Sequence, residues 1–327
     1  MSIGIHFLGG AGTLVSRFLP LDLPTWAGSP VIRYIDTSES EKKFVRKGAV
    51  FTLFSDSDTM KGSGGLRASK SNMIKEQLPG YIVDNPHCDI NIVVVSSTGA
   101  SGAVIAHHLV DNMLAAGKKV ILLVSQSPTT MVRAANSLKT LMGFRAIASK
   151  HKNSIVGYVY DATSGFEQSD RYLVQDLTVL LYFLSGNVEG VDESDINVLL
   201  SPEKLPDMEY KPDLYSLNIL FENKYESEFI PMSILTLSPV GGTDDIGSNA
   251  PVSYSGIIDT SIYETIYSSN GGEPVLSLAI YNSHVPTWLT SLSRKIDMYK
   301  QKLDVQRTVK TELPKGIDLT SQDDLFL

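Results

Sequence analysis

Apolar and polar positions in the first half of the chain change in blocks rather than residue by residue. Short, continuously apolar, β-rich runs stand at "IGIHFL" (3–8), "VIRYID" (31–36), "AVFTLF" (49–54), "INIVVVS" (90–96), "KVILLVS" (119–125) and "SIVGYVYD" (154–161). A strand with one wet face shows a period of two, so runs without that period are expected to be covered on both faces. Helical stretches separate most of them, at about 12–18, 69–78, 102–116, 128–142 and 166–185. This order predicts an α/β protein, with a parallel, Rossmann-like sheet carrying helices on both faces. Ligands of such sheets bind where the carboxyl ends of strands meet helix N-termini.

After Ser185 the pattern changes. "LYSLNILFE" (214–222), "SILTLSP" (233–239), "VSYSGIID" (252–259) and "VLSLAIYN" (275–282) read as strands with few helices between them. A long helix follows over 285–310, with Pro286 suited to its first turn. Pro314 and Gly316 then stop regular structure. The expected organisation is a nucleotide-binding domain over 1–165 and a central helix over 166–186. A smaller α+β domain over 187–284, the C-terminal helix and an acidic tail over 311–327 complete it.

Composition narrows the partners. The 327 residues carry 36 acids against 28 Lys and Arg, a formal net charge of −8, which argues against nucleic acid or an anionic membrane bound through bulk charge. A single cysteine, Cys88, leaves no intramolecular disulfide and fits a reducing cytosol. The start "MSIGIHFLGG" shows no basic region ahead of an apolar run, and no apolar run reaches the ~18 residues of a spanning helix. A cytoplasmic protein is expected. His107 and His108 are adjacent, pointing about 100° apart on a helix, and cannot share one metal ion.

Two strand-to-helix joints are built of small residues. "FLGGAGTLV" (7–15) follows the first strand and narrowly misses G-x-G-x-x-G, with Val15 in the last glycine's place. Asp36 ends the second strand, near where a dinucleotide fold puts its ribose acid. By itself this turn reads equally as NAD binding or as tight packing. The second joint, "SSTGASGAV" (96–104), offers backbone N–H groups, a helix dipole and the hydroxyls of Ser97, Thr98 and Ser101 to an anion. Two such turns on one sheet edge suggest a triphosphate held from both sides: Gly9, Gly10, Ala11, Gly12 and Thr13 from one, Ser97, Thr98, Gly99, Ala100, Ser101 and Gly102 from the other. A third glycine-rich loop, "KGSGGLRAS" (61–69), carries Gly64, Gly65 and the cations Lys61 and Arg67, which would suit a terminal phosphate.

At this point the sequence resembles the tubulin/FtsZ superfamily, most of all its divergent phage-encoded tubulins. "TGASGAV" (98–104) matches the superfamily's glycine signature at Gly99, Ser101 and Gly102 and departs from it at Thr98 and Ala100. "GFEQSDRYLVQDLTVLLYFLSG" (165–186) is similar to its long central helix. The resemblance puts Phe166 where a ring stacks on guanine and Asp170 where an Asn or Asp reads the base edge. A carboxylate there accepts from both guanine N–H groups and repels the acceptors of adenine. "GVDESDINVLLSP" (190–202) matches the N-x-D-x-x-D of the catalytic loop at Asp192 and Asp195, with Gly190 in place of the asparagine. Acids that start a helix are also common caps.

A helix of about 20 residues spans ~30 Å. Acids past its far end reach only a neighbour's nucleotide, so the site would be completed by head-to-tail stacking of identical subunits. The resemblance implies a GTP- and GDP-binding, filament-forming GTPase with Mg2+ carried by the triphosphate, acting in the cytoplasm of an infected bacterium, where such filaments position phage DNA. Its partner would be itself, the acidic tail with its terminal "LFL" docking on the next subunit; no nucleic acid or membrane is expected to bind directly. Leu14, Thr98, Ala100 and Gly190 depart from the family pattern, so nucleotide binding is expected more firmly than fast hydrolysis. Two alternatives remain at this level: an NAD-dependent Rossmann oxidoreductase, and a nucleotide-binding filament protein with little hydrolysis.

Overall fold

A computed structural model describes residues 1–20, 22–24, 28–55, 68–163, 165–186, 188–205, 209–221, 230–240, 250–266, 275–282 and 284–311. The first half runs β1 (Ile3–Leu8), α1 (Gly9–Val15), β2 (Val31–Asp36), β3 (Val50–Leu53), α2 (Ala68–Asp84), β4 (Ile90–Ser96), α3 (Ser101–Ala115), β5 (Lys119–Gln126), α4 (Met131–His151) and β6 (Ile155–Asp161). The long α5 (Phe166–Leu184) and short α6 (Glu193–Leu199) lead to β7 (Leu214–Phe221), β8 (Ser233–Ser238), β9 (Val252–Ile257), α7 (Thr260–Ile266), β10 (Leu276–Tyr281) and α8 (His284–Thr311).

The strands form one sheet in the order β3-β2-β1-β4-β5-β6-β7-β10-β8-β9. From β3 to β7 every pair is parallel, β10 is antiparallel to both its neighbours, and β6 joins β7 through Ile155–Leu214, Val156–Tyr215 and Gly157–Ser216. Successive side chains of a strand point to opposite faces. On β4, Ile92 and Val94 enter a core shared with α5, while Val93 and Val95 enter one shared with α2, α3, α4 and α8. All four are buried, which is why the strand reads as an unbroken apolar run.

Three helices differ from the sequence expectation for identifiable reasons. α1 begins at Gly9, not residue 12, because its first turn is the glycine turn itself, entered from Leu8. α2 continues through Pro79 to Asp84, with Leu78 and Tyr81 buried on either side of the proline. α4 passes Gly143, which reads as a stop but serves close packing: a Cβ there would stand 2.5 Å from His107 Nε2.

Candidate functional site

The strand order reverses at β1 and β4, whose helices α1 and α3 leave toward opposite faces of the sheet. A crevice opens at such a point in any parallel α/β sheet. Here it is a cleft of about 290 Å3 lined by Leu8, Gly9, Gly10, Ala11, Asp36, Ser38, Ser40, Ser96, Gly99, Ala100, Ser101 and Gly102. Both glycine turns and the acid ending β2 therefore meet in one place. Neither α1 nor α3 has a side-chain cap at its N-terminus, so their first N–H groups remain available at the cleft.

The glycines divide into two kinds. A Cβ on Gly9 would sit 2.8 Å from the Gly102 Cα, one on Gly102 2.6 Å from the Leu8 carbonyl oxygen, and one on Gly12 2.7 Å from the Val94 carbonyl oxygen. These three let backbones touch. Around Gly99 the nearest atom is the Ser96 carbonyl oxygen at 3.8 Å, and around Gly10 it is the Glu41 Cγ at 3.3 Å, so these two leave bare backbone facing the cleft.

The remaining expected residues are distributed unevenly. Gly12 and the fully buried Thr13 lie a turn further along α1, away from the lining. Ser97 is buried too, and its hydroxyl pairs with that of Ser137 at 2.8 Å, so the side chain faces the core and not the cleft. Thr98 bonds the Ser96 hydroxyl at 3.0 Å at the cleft's margin, and the Ser101 hydroxyl accepts from Thr37 at 2.9 Å. Lys61, Gly64, Gly65 and Arg67 lie outside the described residues, as does the tail from residue 312.

Burial pushes the Asp36 carboxyl up to about 6, against donation from the N–H groups of Thr37 and Ser38, and Glu41 adds to the rise. Ser38, Ser40 and Ser96 are lining residues that sequence reasoning missed. The first two belong to "DTSES" (36–40), a hydroxyl-rich run directly after β2, and that was the available signal. No group of three His, Cys, Asp or Glu side chains able to hold a metal occurs among the described residues.

α1, seven residues long, spans about 10 Å and leads from the cleft to the start of α5. There Phe166 stands 46% exposed at the helix mouth, while Asp170 is only 5% exposed. No described residue donates a hydrogen bond to Asp170; burial pushes its carboxyl up to about 6, and Arg17 opposes the rise. The adjacent Ser169 hydroxyl is also buried without a partner. Arg17 and Arg171 flank the Phe18 ring, 4.4 and 4.5 Å from its centroid.

Asp192 and Asp195 lie beyond the other end of α5, whose 19 residues span about 28 Å. They form a capping box on α6: Asp192 Oδ1 accepts from the N–H groups of Ser194 and Asp195, and Asp195 Oδ2 accepts from that of Asp192. The capping expectation thus holds for Asp192, Asp195 closes the box from the third helical position, and each keeps one carboxylate oxygen outside the box.

A parallel nucleotide-type sheet joined by a long helix to an α+β half is the tubulin/FtsZ-like fold, and the chain has it throughout. In sequence it is similar to phage tubulin-like proteins. The "Phage tubulin-like protein" of Pseudomonas phage phiKZ is 26% identical over 204 residues, 59% of this chain, and the match spans 60% of that relative's length. Among solved structures, the protofilament of TubZ from bacteriophage PhiKZ superposes with a TM-score of 0.76 at 20% identity, covering 98% of this chain and 96% of that one. The phage tubulin PhuZ with GDP gives 0.77 at 16% identity, over the same 98% and 96%. No protein-family profile matches the chain. Among the described residues no helix is long and apolar enough to cross a membrane.

Proposed function

We propose that this chain is a guanine-nucleotide-binding filament subunit that hydrolyses GTP where the acidic loop of one subunit meets the nucleotide of the next. The observation that carries it is the convergence of two uncapped helix N-termini on one cleft, with a buried, unpartnered carboxylate one short helix away. A triphosphate fits the first feature and a base with paired N–H donors the second. Phe166 would stack on the base. Asp192 and Asp195, beyond the far end of α5, would act on the neighbour's terminal phosphate and polarise its attacking water. The similarity to a protofilament and to a GDP complex supports this reading.

The all-oxygen set of Asp36, Ser38, Ser40 and Ser101 suits a hard cation. Mg2+ would be held mainly by phosphate oxygens and water with Asp36 facing it, and would offset negative charge beside that carboxylate. The hydroxyl groups would orient the phosphates. The most direct experiment is light scattering of the pure protein with GTP, GDP, ATP or NAD added. Growth with GTP alone is expected; NAD binding without assembly would favour the oxidoreductase.

Guanine choice is tested at Asp170. Asp170→Ala should weaken GTP binding by about 1.5–3 kcal/mol, the worth of hydrogen bonds to a charged group. Only the ionised carboxylate accepts both base N–H groups. With its pKa raised to about 6, GTP affinity should be level above pH 6 and fall as pH drops through 6, and Asp170→Asn should flatten that fall. Equal wild-type affinity for ATP and GTP would remove the assignment.

The tail supplies a second joint in this reading. Asp323 and Asp324 steer, and Leu325, Phe326 and Leu327 bury, each fully buried apolar side chain being worth roughly 1.5–3 kcal/mol before the cost of ordering the segment. Deleting residues 314–327 should leave a monomer that binds GTP but assembles at a severalfold higher critical concentration. Pelleting at the full-length critical concentration would show the tail to be a solvated end.

A further inference from the structure

We propose that Asn136 and Thr140 of α4 are positioning residues for the second glycine turn. From behind, they hold the Ser97 and Thr98 carbonyls so that the next two N–H groups face the nucleotide. The inference rests on the phosphate-binding reading above and adds to it the side chains that aim the turn.

A helix packed on a sheet ordinarily buries an apolar stripe. The second half of α4 does so, with Leu141, Phe144 and Ala148 buried. Its first half instead buries Asn136, Ser137 and Thr140, which lie within an arc of about 100° on the helix surface. All three reach the joint between β4 and α3. Asn136 Nδ2 donates to the Thr98 carbonyl at 3.3 Å. The Thr140 hydroxyl stands 3.0 Å from the Ser97 carbonyl oxygen and 2.8 Å from the Asn136 carbonyl oxygen, its one proton serving both. The Ser137 hydroxyl pairs with that of Ser97 at 2.8 Å, and Ser97 N–H donates to the Ser125 carbonyl at 2.9 Å. Ser97 is therefore held at its N–H, its hydroxyl and its carbonyl. α3 braces α4 in return, for His107 Nε2 donates to the Thr140 carbonyl at 2.9 Å.

A trans peptide points its C=O and its N–H to opposite sides, and no described peptide is cis. With the Ser97 carbonyl turned to Thr140, the Thr98 N–H is turned away from α4. With the Thr98 carbonyl turned to Asn136, so is the Gly99 N–H. No described residue accepts from the N–H groups of Thr98, Gly99 or Ala100, and Gly99 and Ala100 line the cleft. Turning the Thr98–Gly99 peptide over would put a carbonyl oxygen before the phosphates in place of a donor. Glycine resists such a turn little, since it accepts either sign of φ, and nothing stands nearer than 3.8 Å to its Cβ position. The polar stripe on α4 supplies the constraint that the glycine lacks.

Thr140→Val keeps the side-chain shape and removes the donor to Ser97; Asn136→Leu removes the donor to Thr98. Each should lower GTP affinity about tenfold, and Thr140→Ser, which keeps the hydroxyl, should bind as wild type. A Thr140→Ser protein as weak as Thr140→Val would make the methyl group the cause and overturn the role of the hydroxyl. A purely structural loss could also weaken binding, so each variant is combined with Gly99→Ala, whose methyl already keeps the phosphates from the same N–H groups. The combined proteins should bind GTP no more weakly than Gly99→Ala alone. Penalties that multiply would place the effect outside the turn and overturn the proposal. If Thr140→Val does not fold, Asn136→Leu carries the same cycle, because its acceptor belongs to the half-buried Thr98. Wild-type affinity in Thr140→Val and Asn136→Leu, beside weakened binding in Gly99→Ala, would overturn the proposal while leaving the phosphate reading intact. Wild-type affinity in all three would overturn both, since no phosphate would then approach this turn.

Discussion

Asp195→Asn is expected to give filaments that take up GTP and then fail to release it, with turnover reduced by about a hundredfold or more. A positioned general base contributes roughly 10²–10⁴ in rate, and the amide cannot accept a proton. The choice of amide follows from the capping box. Asp195 Oδ2 accepts from Asp192 N–H at 3.0 Å, and alanine would remove that cap at a cost of about 0.5–2 kcal/mol. Asparagine retains the acceptor, so a loss of turnover without a fall in melting temperature isolates the chemistry from the fold. The span of α5 adds a second arm. If the acids act on a neighbour's nucleotide, Asp195→Asn subunits mixed with subunits that keep their acids but cannot hold GTP should recover turnover at mixed joints. Wild-type turnover in Asp195→Asn would show the pair to be a helix cap and nothing more.

The sheet was legible because its strands are covered on both faces. β1, β2 and β4 have the limits their apolar runs predict. What periodicity could not show is pairing between strands distant in sequence. β7 reads as the start of a different pattern, yet it hydrogen-bonds to β6 and carries the sheet into the second half. Pro79 and Gly143 misled for a related reason. Both are local stop signals overridden by tertiary packing, which a single sequence does not display.

The site was legible in outline. Two small-residue turns, visible as text, converge on one cleft. The direction of individual side chains was not: Ser97 belongs to the same run as Ser101, yet one faces the core and the other the cleft. Nor does text show that Asp170 is buried without a partner, because burial depends on α1 and the turn after it lying against α5. The sequence also left open whether the glycines serve packing or a ligand. The structure shows backbone packed against Gly9, Gly12 and Gly102 and open space around Gly99, and that division can be measured.

Gly102→Ala should destabilise the protein with or without nucleotide, because its methyl would stand 2.6 Å from the Leu8 carbonyl oxygen and 3.1 Å from its carbon. Neither atom can swing aside as a side chain would, so the cost should reach the upper part of the roughly 1–3 kcal/mol seen for overpacking. A melting temperature lowered by several degrees in the apo protein is the expected result. Gly99→Ala is the opposite case. Its methyl meets nothing nearer than 3.8 Å, and loss of backbone freedom in the unfolded chain favours the variant by about 0.4–1 kcal/mol. The apo protein should therefore melt no lower than wild type. GTP affinity should still drop about tenfold or more, because a methyl on the cleft wall keeps the phosphates from N–H donors worth about 1.5–3 kcal/mol when the acceptor is charged. The two alanines thus separate stability from binding within one four-residue turn. If Gly99→Ala binds GTP as tightly as wild type, no phosphate approaches this backbone, and the openness of the joint must have another cause.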